Sequence, residues 1–277
     1  MPQDEVFQAT IERSEYWRHI FLIEFSVGSQ FDILLELSRA SVPPPSGVVC
    51  VAGAGNSFHG FKDRPWVTMR GNLHMSVFLS PKIPIPRFDV GFMILATVSV
   101  IQTLDSFNGL RRRAMIRWVN DIVFDDAKVG GVLVATHSSG DIVTGAILGI
   151  GLNVETTPRV EPTPFVPQVS SLRDLVPPGG APSRSEVLSR LLHLLDQNYH
   201  LLISGGHERL LDFYRTRSLV IGKEVHVFAN TTDGKGMEMV RGRVKSIGDN
   251  LELIIDCVDT PIRKGRIVLS HHPVAAT

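Results

Sequence analysis

The chain has 277 residues, 43% of them hydrophobic and 20% charged, an ordinary balance for a globular protein with one large domain and a small one. Its formal net charge is zero, which argues against a general nucleic-acid binder, because binding a phosphate backbone needs a basic surface. Met1 to Glu5 lack the features of a signal peptide, and no apolar run reaches the length of a membrane helix. The two cysteines imply no disulfide framework. We therefore expect a cytoplasmic protein that spans no membrane.

The first part of the chain alternates predicted strands and helices. We predict strands at 20–27, 48–52, 73–79, 115–118, 129–135 and 143–153. Helices are predicted at 29–39, with Ser29 as its cap, and at 92–104, where nearly every residue is apolar. This alternation predicts an α+β fold made of α/β layers, in which a mixed β-sheet packs against helices.

The second part begins with a proline-rich stretch, Thr156 to Ser185, which predicts an ordered surface meander or a flexible linker. Ser185 and Glu186 are predicted to cap a helix that runs to about residue 204, and a second helix is predicted at 208–217. Short strands at 224–227, 240–247, 251–257 and 266–269 predict a small β-barrel. The chain is therefore predicted to divide into a larger domain, residues 1–218, and the small barrel, residues 219–277.

The most informative segment lies between residues 117 and 133. A strand ending in Asp121 is followed by a short polar turn, and Lys128 then opens a strand with Gly130 and Gly131 directly behind it. A phosphate-bearing intermediate can approach backbone closely only where side chains are absent, and a lysine supplies a point charge for the phosphate. The alternative interpretation is a β-hairpin with a surface acid and a surface lysine.

Five segments, in this order, resemble motifs of the biotin protein ligase family. S-Q-F at 29–31 resembles the S-T-N turn, and Trp66 with G-N-L-H-M-S at 71–76 resembles W-x-S-P-x-G-x-N-L-x-x-S. R-W-V-N-D at 117–121 resembles K-W-P-N-D, K-V-G-G-V-L at 128–133 resembles K-x-x-G-[IV]-L, and G-I-G-L-N at 149–153 resembles G-[IAC]-G-x-N. The resemblance extends from about residue 20 to 270, and implies a catalytic domain followed by an SH3-like barrel.

The resemblance implies an ATP-dependent ligase that forms biotinyl-AMP, with Mg²⁺, and transfers biotin to a lysine of a biotin carboxyl carrier protein or domain. Lys128 would neutralise the biotin carboxylate and the α-phosphate. Asp121 would orient ligand or magnesium and help receive the acceptor lysine's proton. The other residues implied to contact biotin or ATP are Ser29, Gln30, Gly53, Gly55, Lys62, Arg64, Trp66, Asn72, Arg117, Asn120, Gly130, Gly131 and Asn153. The histidines show no metal-ligand spacing, so no metal held by protein ligands is expected.

The glycine-rich loop departs from the family pattern Q-x-A-G-R-G-R-x-G-R-x-W. When the two are aligned on Ala52 and Gly53, the first two family arginines fall on Ala54 and Asn56. One interpretation is that Lys62, Arg64 or His59 takes over the clamp on the intermediate. The alternative is an exposed loop whose basic residues are only solvated.

Two rival functions stay open at this point. One is a ligase or transferase for another acyl group, lipoate or octanoate, on the same fold. The other is a catalytically weak member that binds an acyl-adenylate or a carrier protein without efficient transfer. Because the predicted catalytic strands begin near residue 20, we expect no helix-turn-helix, no repressor role and no nucleic-acid partner. Homodimerisation is left open.

Overall fold

The computed structural model describes Ser14, residues 16–229 and residues 237–270. The expectation about Met1 to Glu5 concerns residues outside this range, as does the end of the predicted barrel, residues 271–277.

The large domain is built on a mixed sheet, as predicted. Its strands are β1 (His19–Ser26), β2 (Val48–Gly55), β3 (Leu73–Leu79), β4 (Ile83–Pro84), β5 (Ala114–Arg117), β6 (Asp121–Phe124), β7 (Ala127–Ser139) and β8 (Ile142–Leu152). They follow the order β1-β2-β3-β8-β7-β6-β5, with β4 pairing to β8. Only the β1–β2 pair is parallel among these described strands, and the long strands β7 and β8 form the centre of the antiparallel part.

One strand differs from the sequence prediction. Asp121 was expected at the end of a strand, but it begins β6, and Arg117 ends β5 directly opposite it. The turn into β7 lies later, at Asp125 and Asp126, which adopt φ of 44° and 71°. Aspartate tolerates this left-handed conformation better than most residues, so the chain reverses at Asp125 and Asp126. Asp121 is therefore held within the sheet ladder.

Four helices cover the sheet in the described residues: α1 (Gln30–Leu37), α2 (Phe88–Asp105), α3 (Arg184–Ile203) and α4 (His207–Thr216). By length and composition α2 is the one candidate membrane span among the described residues, but 67% of it is buried inside the protein. It packs on β7, α3 and α4, so it is the core helix that its composition predicted. Ser29 occupies the N-cap position of α1, but its side chain makes no capping hydrogen bond.

The cap of α3 lies two residues before the predicted one. The Ser183 hydroxyl accepts the Glu186 N–H at 3.3 Å, while the Glu186 carboxylate accepts the Ser183 N–H at 2.8 Å. This reciprocal capping box needs an acid or amide three residues after the cap. Ser183 meets that requirement and Ser185, which is followed by Leu188, does not.

The proline-rich stretch is an ordered meander that runs beside β7. Lys128 N–H donates to Gln168 O at 2.9 Å, and Ser170 N–H donates to Lys128 O at 3.0 Å. Leu172 N–H donates to Asn153 O at 2.8 Å. These bonds place the meander against the two strands that carry the predicted site residues.

The C-terminal strands β9 (Glu224–Phe228), β10 (Glu238–Ile247), β11 (Leu253–Ile255) and β12 (Arg266–Leu269) form one antiparallel sheet in the order β11-β10-β9-β12, here called the C-terminal sheet. It packs on the large domain, and its buried Val225, Leu253 and Ile267 belong to the same apolar core. Buried Trp118 donates its indole N–H to Leu251 O at 2.6 Å. The C-terminal sheet thereby contacts the turn that precedes Asp121.

Candidate active site

A cavity opens on one face of the sheet, between α1, the loop after β2, the meander and the ends of β7 and β8. We call it the sheet cavity. Seven of the predicted site residues line it: Ser29, Arg64, Trp66, Asn120, Asp121, Lys128 and Gly131. The sequence motifs, which are up to 102 positions apart, therefore converge on one place.

Asp121 lies at the centre of the charged end of this cavity, between two cations. Lys128 Nζ is 2.6 Å from Asp121 Oδ1, and Arg117 Nη2 is 2.8 Å from Asp121 Oδ2. Burial alone would raise the pKa of the Asp121 carboxyl, but Lys128 and Arg117 outweigh it and hold the pKa at about 2. The cluster is therefore two cations and one carboxylate at neutral pH, with net positive charge.

The turn before Asp121 is fixed from two sides. Val132 N–H donates to Asn120 O at 3.0 Å, and Asn120 Nδ2 donates back to Val132 O at 2.6 Å. The Tyr214 hydroxyl, from α4, donates to Val119 O at 2.8 Å. The Trp118–Val119 peptide bond is cis. Asn120 thus lines the cavity while its amide group is bonded to the neighbouring strand.

Glycines make the floor of the sheet cavity. A Cβ on Gly131 would meet its nearest neighbouring atom at 3.7 Å, an ordinary contact, so only the cavity itself would be filled. A Cβ on Gly149 would lie 3.0 Å from the Phe31 ring, and one on Gly151 would lie 2.6 Å from the Trp66 ring. The bare backbone of Gly149 and Gly151 therefore lets two aromatic side chains close over the strands.

A buried histidine orients Trp66. The indole N–H donates to His74 Nδ1 at 3.3 Å, and His74 Nε2 faces Met69 O at 3.4 Å. Burial lowers the pKa of His74 to about 4, so its ring is neutral at physiological pH and one nitrogen can accept. Lys128 Nζ lies 5.8 Å from the centre of the Trp66 ring. The indole is a fixed wall beside the cation.

The loop after β2 folds back on itself. Gly60 N–H donates to Arg64 O at 2.8 Å, and Trp66 N–H donates to Phe58 O at 2.9 Å. His59 Nε2 lies 2.9 Å from Asp32 Oδ2, which ties the loop to α1. His59 and Arg64 line the sheet cavity, whereas Lys62 does not. Of the basic residues considered for the clamp, these two are in position.

Eight predicted contacts lie outside the lining of the sheet cavity: Gln30, Gly53, Gly55, Lys62, Asn72, Arg117, Gly130 and Asn153. Three of them are glycines where a side chain would meet neighbouring strands. A Cβ would lie 2.8 Å from Glu24 O at Gly53, 2.6 Å from Ser26 O at Gly55, and 2.8 Å from Gly151 O at Gly130. The structure gives these glycines a packing reason for lacking a side chain, and their contact with ligand stays a prediction.

Two asparagines are bound within the protein. Asn72 Oδ1 accepts backbone N–H groups from residues 154, 155 and 156 at 3.0 to 3.2 Å. Asn153 Nδ2 donates to Ser170 O at 3.1 Å. Both side chains are buried and hold the start of the meander against β3 and β8. Asn153 also lines a second cavity under the meander, together with Trp66 and Lys128.

The sequence analysis missed one side chain that enters the site from the C-terminal sheet. Arg266, the first residue of β12, lines the sheet cavity although it lies 138 positions after Lys128. No local motif includes Arg266, and the sequence indicated only that it begins a short strand. The strand itself was predicted with the bounds that the structure has.

The segment that carries most of the site residues is similar to a known protein family. The sequence model described as the Biotin/lipoate A/B protein ligase family matches residues 29–153, which run from Ser29 to Asn153 and contain the charged cluster and the glycine floor. The charged cluster and the glycine floor therefore lie within the segment that is similar to this family.

Individual proteins with similar sequences agree with the family match. The bifunctional ligase/repressor BirA of Bacillus subtilis is 28% identical over 191 residues, which are 69% of this chain and 57% of the relative. Biotin–protein ligase 2 of Arabidopsis thaliana is 26% identical over 187 residues, 65% of this chain and 54% of the relative. This chain therefore spans a little over half the length of these curated relatives.

The fold is that of solved biotin protein ligases. The biotin protein ligase of Aquifex aeolicus, in complex with biotin and ATP, superposes with a TM-score of 0.68 at 21% identity, and the match covers 91% of this chain and 99% of the other. The match includes both sheets, so the C-terminal sheet is part of the shared biotin ligase fold.

Proposed function

We propose that this protein is an ATP-dependent biotin–protein ligase, which forms biotinyl-AMP and transfers biotin to a lysine of a biotin carboxyl carrier domain. One observation carries the proposal. The Lys128–Asp121–Arg117 cluster stands at the end of a glycine-floored, aromatic-walled cavity, within the segment that matches the ligase family. Such a cavity suits an acyl group whose carboxylate must meet a phosphate.

In the first step the biotin carboxylate attacks the α-phosphorus of ATP, and pyrophosphate leaves. The two reacting groups are both anionic, so their approach requires fixed positive charge. Lys128 lines both the sheet cavity and the cavity under the meander, so we assign it to the carboxylate and the α-phosphate. The adenine would lie under the meander, beside Asn153 and Trp66.

Asp121 positions the cations in this proposal. A carboxyl whose pKa is about 2 is a weak base, so it is poorly suited to take a proton from the acceptor lysine in the second step. Its bond to Lys128 keeps the ammonium group directed at the reacting atoms, and its bond to Arg117 ties the carboxylate to β5. We therefore replace the base role, expected from the sequence, with orientation of Lys128.

Mg²⁺ would enter as part of the substrate, MgATP. No group of three potential ligand side chains occurs among the described residues, and both oxygens of Asp121 are paired with cations. A magnesium ion that keeps several waters and binds mainly phosphate oxygens needs no such group. The residues that would contact MgATP are Lys128, Arg64 and Arg117 through its phosphates.

The test is incubation of the purified protein with ATP, Mg²⁺ and a carrier domain, with either biotin or lipoate, followed by mass spectrometry of the carrier. Biotin attached to one carrier lysine in an ATP-dependent manner is the expected result. Lipoyl or octanoyl attachment would instead support the acyl-ligase alternative. Binding without transfer would identify a protein that only holds the adenylate or the carrier. The carrier, a homodimer and a cytoplasmic location stay predictions.

A further inference from the structure

Arg266 has a fixed orientation and unused hydrogen-bonding capacity. Its guanidinium carbon lies 3.6 Å from the centre of the Phe165 ring, and Phe165 packs edge-on against Phe228 at 5.4 Å. Phe228 pairs with Arg266 across β9 and β12. The Arg266 Nε is buried and has no hydrogen-bond partner among the described residues. The two aromatic rings thus hold the guanidinium plane while its N–H groups stay available.

Three cavities meet at this side chain. Arg266 lines the sheet cavity, the cavity under the meander, and a third cavity between the C-terminal sheet and the turn before Asp121. Lys128 is shared by the first two cavities, and Arg64 by the first and third. The proposed acyl and adenine positions therefore join at Lys128 and Arg266, where an acyl-adenylate carries its phosphate.

The electrostatics of the junction favour an anion. Burial and the nearby charges of Arg64 and Arg117 lower the pKa of Arg266, and Asp121 opposes them; the pKa that results is about 10, so the side chain stays charged at neutral pH. Asp121 is the one carboxylate among the described residues that line the sheet cavity, and it is already paired with two cations. A partly buried cation without a counter-charge is costly, and a bound phosphate would remove that cost.

We propose that Arg266 holds the phosphate of the acyl-adenylate, supplying from the C-terminal sheet the guanidinium that the loop after β2 lacks at Ala54 and Asn56. Arg266 is assigned to retention of the intermediate, and Lys128 to its formation. This inference rests on the proposed ligase function, and it adds a ligand contact that no sequence motif contains. Arg266 lines the same cavity as the loop after β2, although it lies near the C-terminal end of the chain.

The experiment compares binding of biotin with binding of biotinol-adenylate, an analogue that keeps the phosphate but has a methylene in place of the carbonyl, so it has no acyl group to transfer. We expect Arg266→Ala and Arg266→Gln to weaken the analogue at least about 10-fold and biotin less than about 2-fold, on the scale of one charge-assisted contact. Arg266→Lys should recover part of the loss. Arg243→Ala, at an exposed arginine of β10, is the matched control and should change neither affinity.

Failure of this inference differs from failure of the proposed function. If the unaltered protein binds neither biotin nor the analogue, the ligase proposal fails. If it binds both, and Arg266→Gln binds the analogue as tightly as the unaltered protein does, Arg266 does not hold the phosphate. A thermal melt of each variant identifies unfolding. Release of free biotinyl-AMP during turnover should rise in Arg266→Gln, and an unchanged release would also overturn the inference.

Discussion

Lys128 Nζ and Asp121 Oδ1 lie 2.6 Å apart, on strands β7 and β6, which pair with a register shift between Ile122 and Val123. Ile122 pairs with Gly130 and Val123 pairs with Lys128, so Val129 is the extra residue on β7, and Asp121 is opposite Gly131 instead of Gly130. Gly131 has no side chain, so the ammonium group can extend over it to the carboxylate. The irregular pairing and the glycine together make the ion pair possible.

The first prediction concerns Lys128. Replacing it with alanine should slow adenylation by about 3 kcal/mol of transition-state stabilisation, the scale of losing one preorganised electrostatic donor. Stability should change little, because Asp121 keeps its bond to Arg117. Pyrophosphate release with biotin and ATP measures the effect, and Lys128→Arg should recover it only in part. Lys245→Ala, at an exposed lysine of β10, serves as the control. A normal rate in Lys128→Ala would disprove the mechanism proposed above.

The second prediction uses adjacent glycines that face opposite sides of β7. Gly131→Ala should leave the melting temperature unchanged or slightly higher, but weaken biotin binding by filling the cavity floor. Gly130→Ala should lower the free energy of unfolding by about 1 to 3 kcal/mol, because its Cβ meets backbone. Melting curves and biotin titrations of both variants separate the two effects. Equal loss of stability in both would contradict the assignment of their faces.

The third prediction concerns acid stability. The pKa of Asp121 is lowered to about 2 in the folded protein. As the pH falls from about 4 to about 2, this carboxyl therefore becomes protonated in the unfolded chain while it is still ionised in the folded protein. The stabilisation is fully present above the unfolded value of 3.8, and about 2 kcal/mol of it is lost on acidification through the folded value. Unfolding free energies of the unaltered protein and Asp121→Asn should converge in that window. Asp259→Asn, at an exposed aspartate, should show no such convergence, and parallel curves for Asp121→Asn would count against the ion pair.

The fourth prediction concerns His59 and the loop after β2. Burial alone would lower the pKa of His59, but its bonds to Gly60 O and Asp32, and the nearby charge of Asp63, raise it. The His59–Asp32 contact is therefore fully formed below the ordinary histidine pKa of about 6.5 and is lost as the pH rises through the raised value.

Limited trypsin cleavage after Lys62 measures the hold on this loop. Near pH 6 the unaltered protein should be cleaved more slowly than Asp32→Asn, and near pH 9 the two rates should converge. Comparing the two proteins at each pH removes the pH dependence of the protease itself. Glu36→Gln, at an exposed acid of the same helix, should behave like the unaltered protein. A constant ratio between Asp32→Asn and the unaltered protein across this range would remove His59 from the hold on the loop.

The sequence predicted most of the sheet because its strands are apolar runs bounded by turn residues. Leu73–Leu79 and Arg266–Leu269 have the predicted bounds. β6 was missed because it has only four residues, and the two polar segments beside it resemble one continuous turn. The motifs placed Asp121 and Lys128 together correctly, since their spacing fits two adjacent antiparallel strands.

The remaining parts of the site depend on long-range packing. The choice between Lys62 and Arg64 depends on the left-handed backbone at Lys62 and Asp63, with φ of 57° and 55°, and no pattern in the loop indicates it. Asn72 matched a ligand motif, but three backbone N–H groups that lie 82 to 84 positions later use its carbonyl oxygen. Arg266 carries no motif at all. Each of these outcomes is determined by residues far away in the chain.

The bond from the Trp118 indole to Leu251 O joins the turn before Asp121 to a segment that the ribosome synthesises 133 residues later. When residues 1 to 218 have been synthesised, β7, the glycine floor and the Lys128–Asp121 pair are all available. The acceptor for Trp118 and the guanidinium of Arg266 are still untranslated. Retention of the adenylate, which we assign to Arg266, therefore requires that the C-terminal sheet has been synthesised and has folded onto the turn.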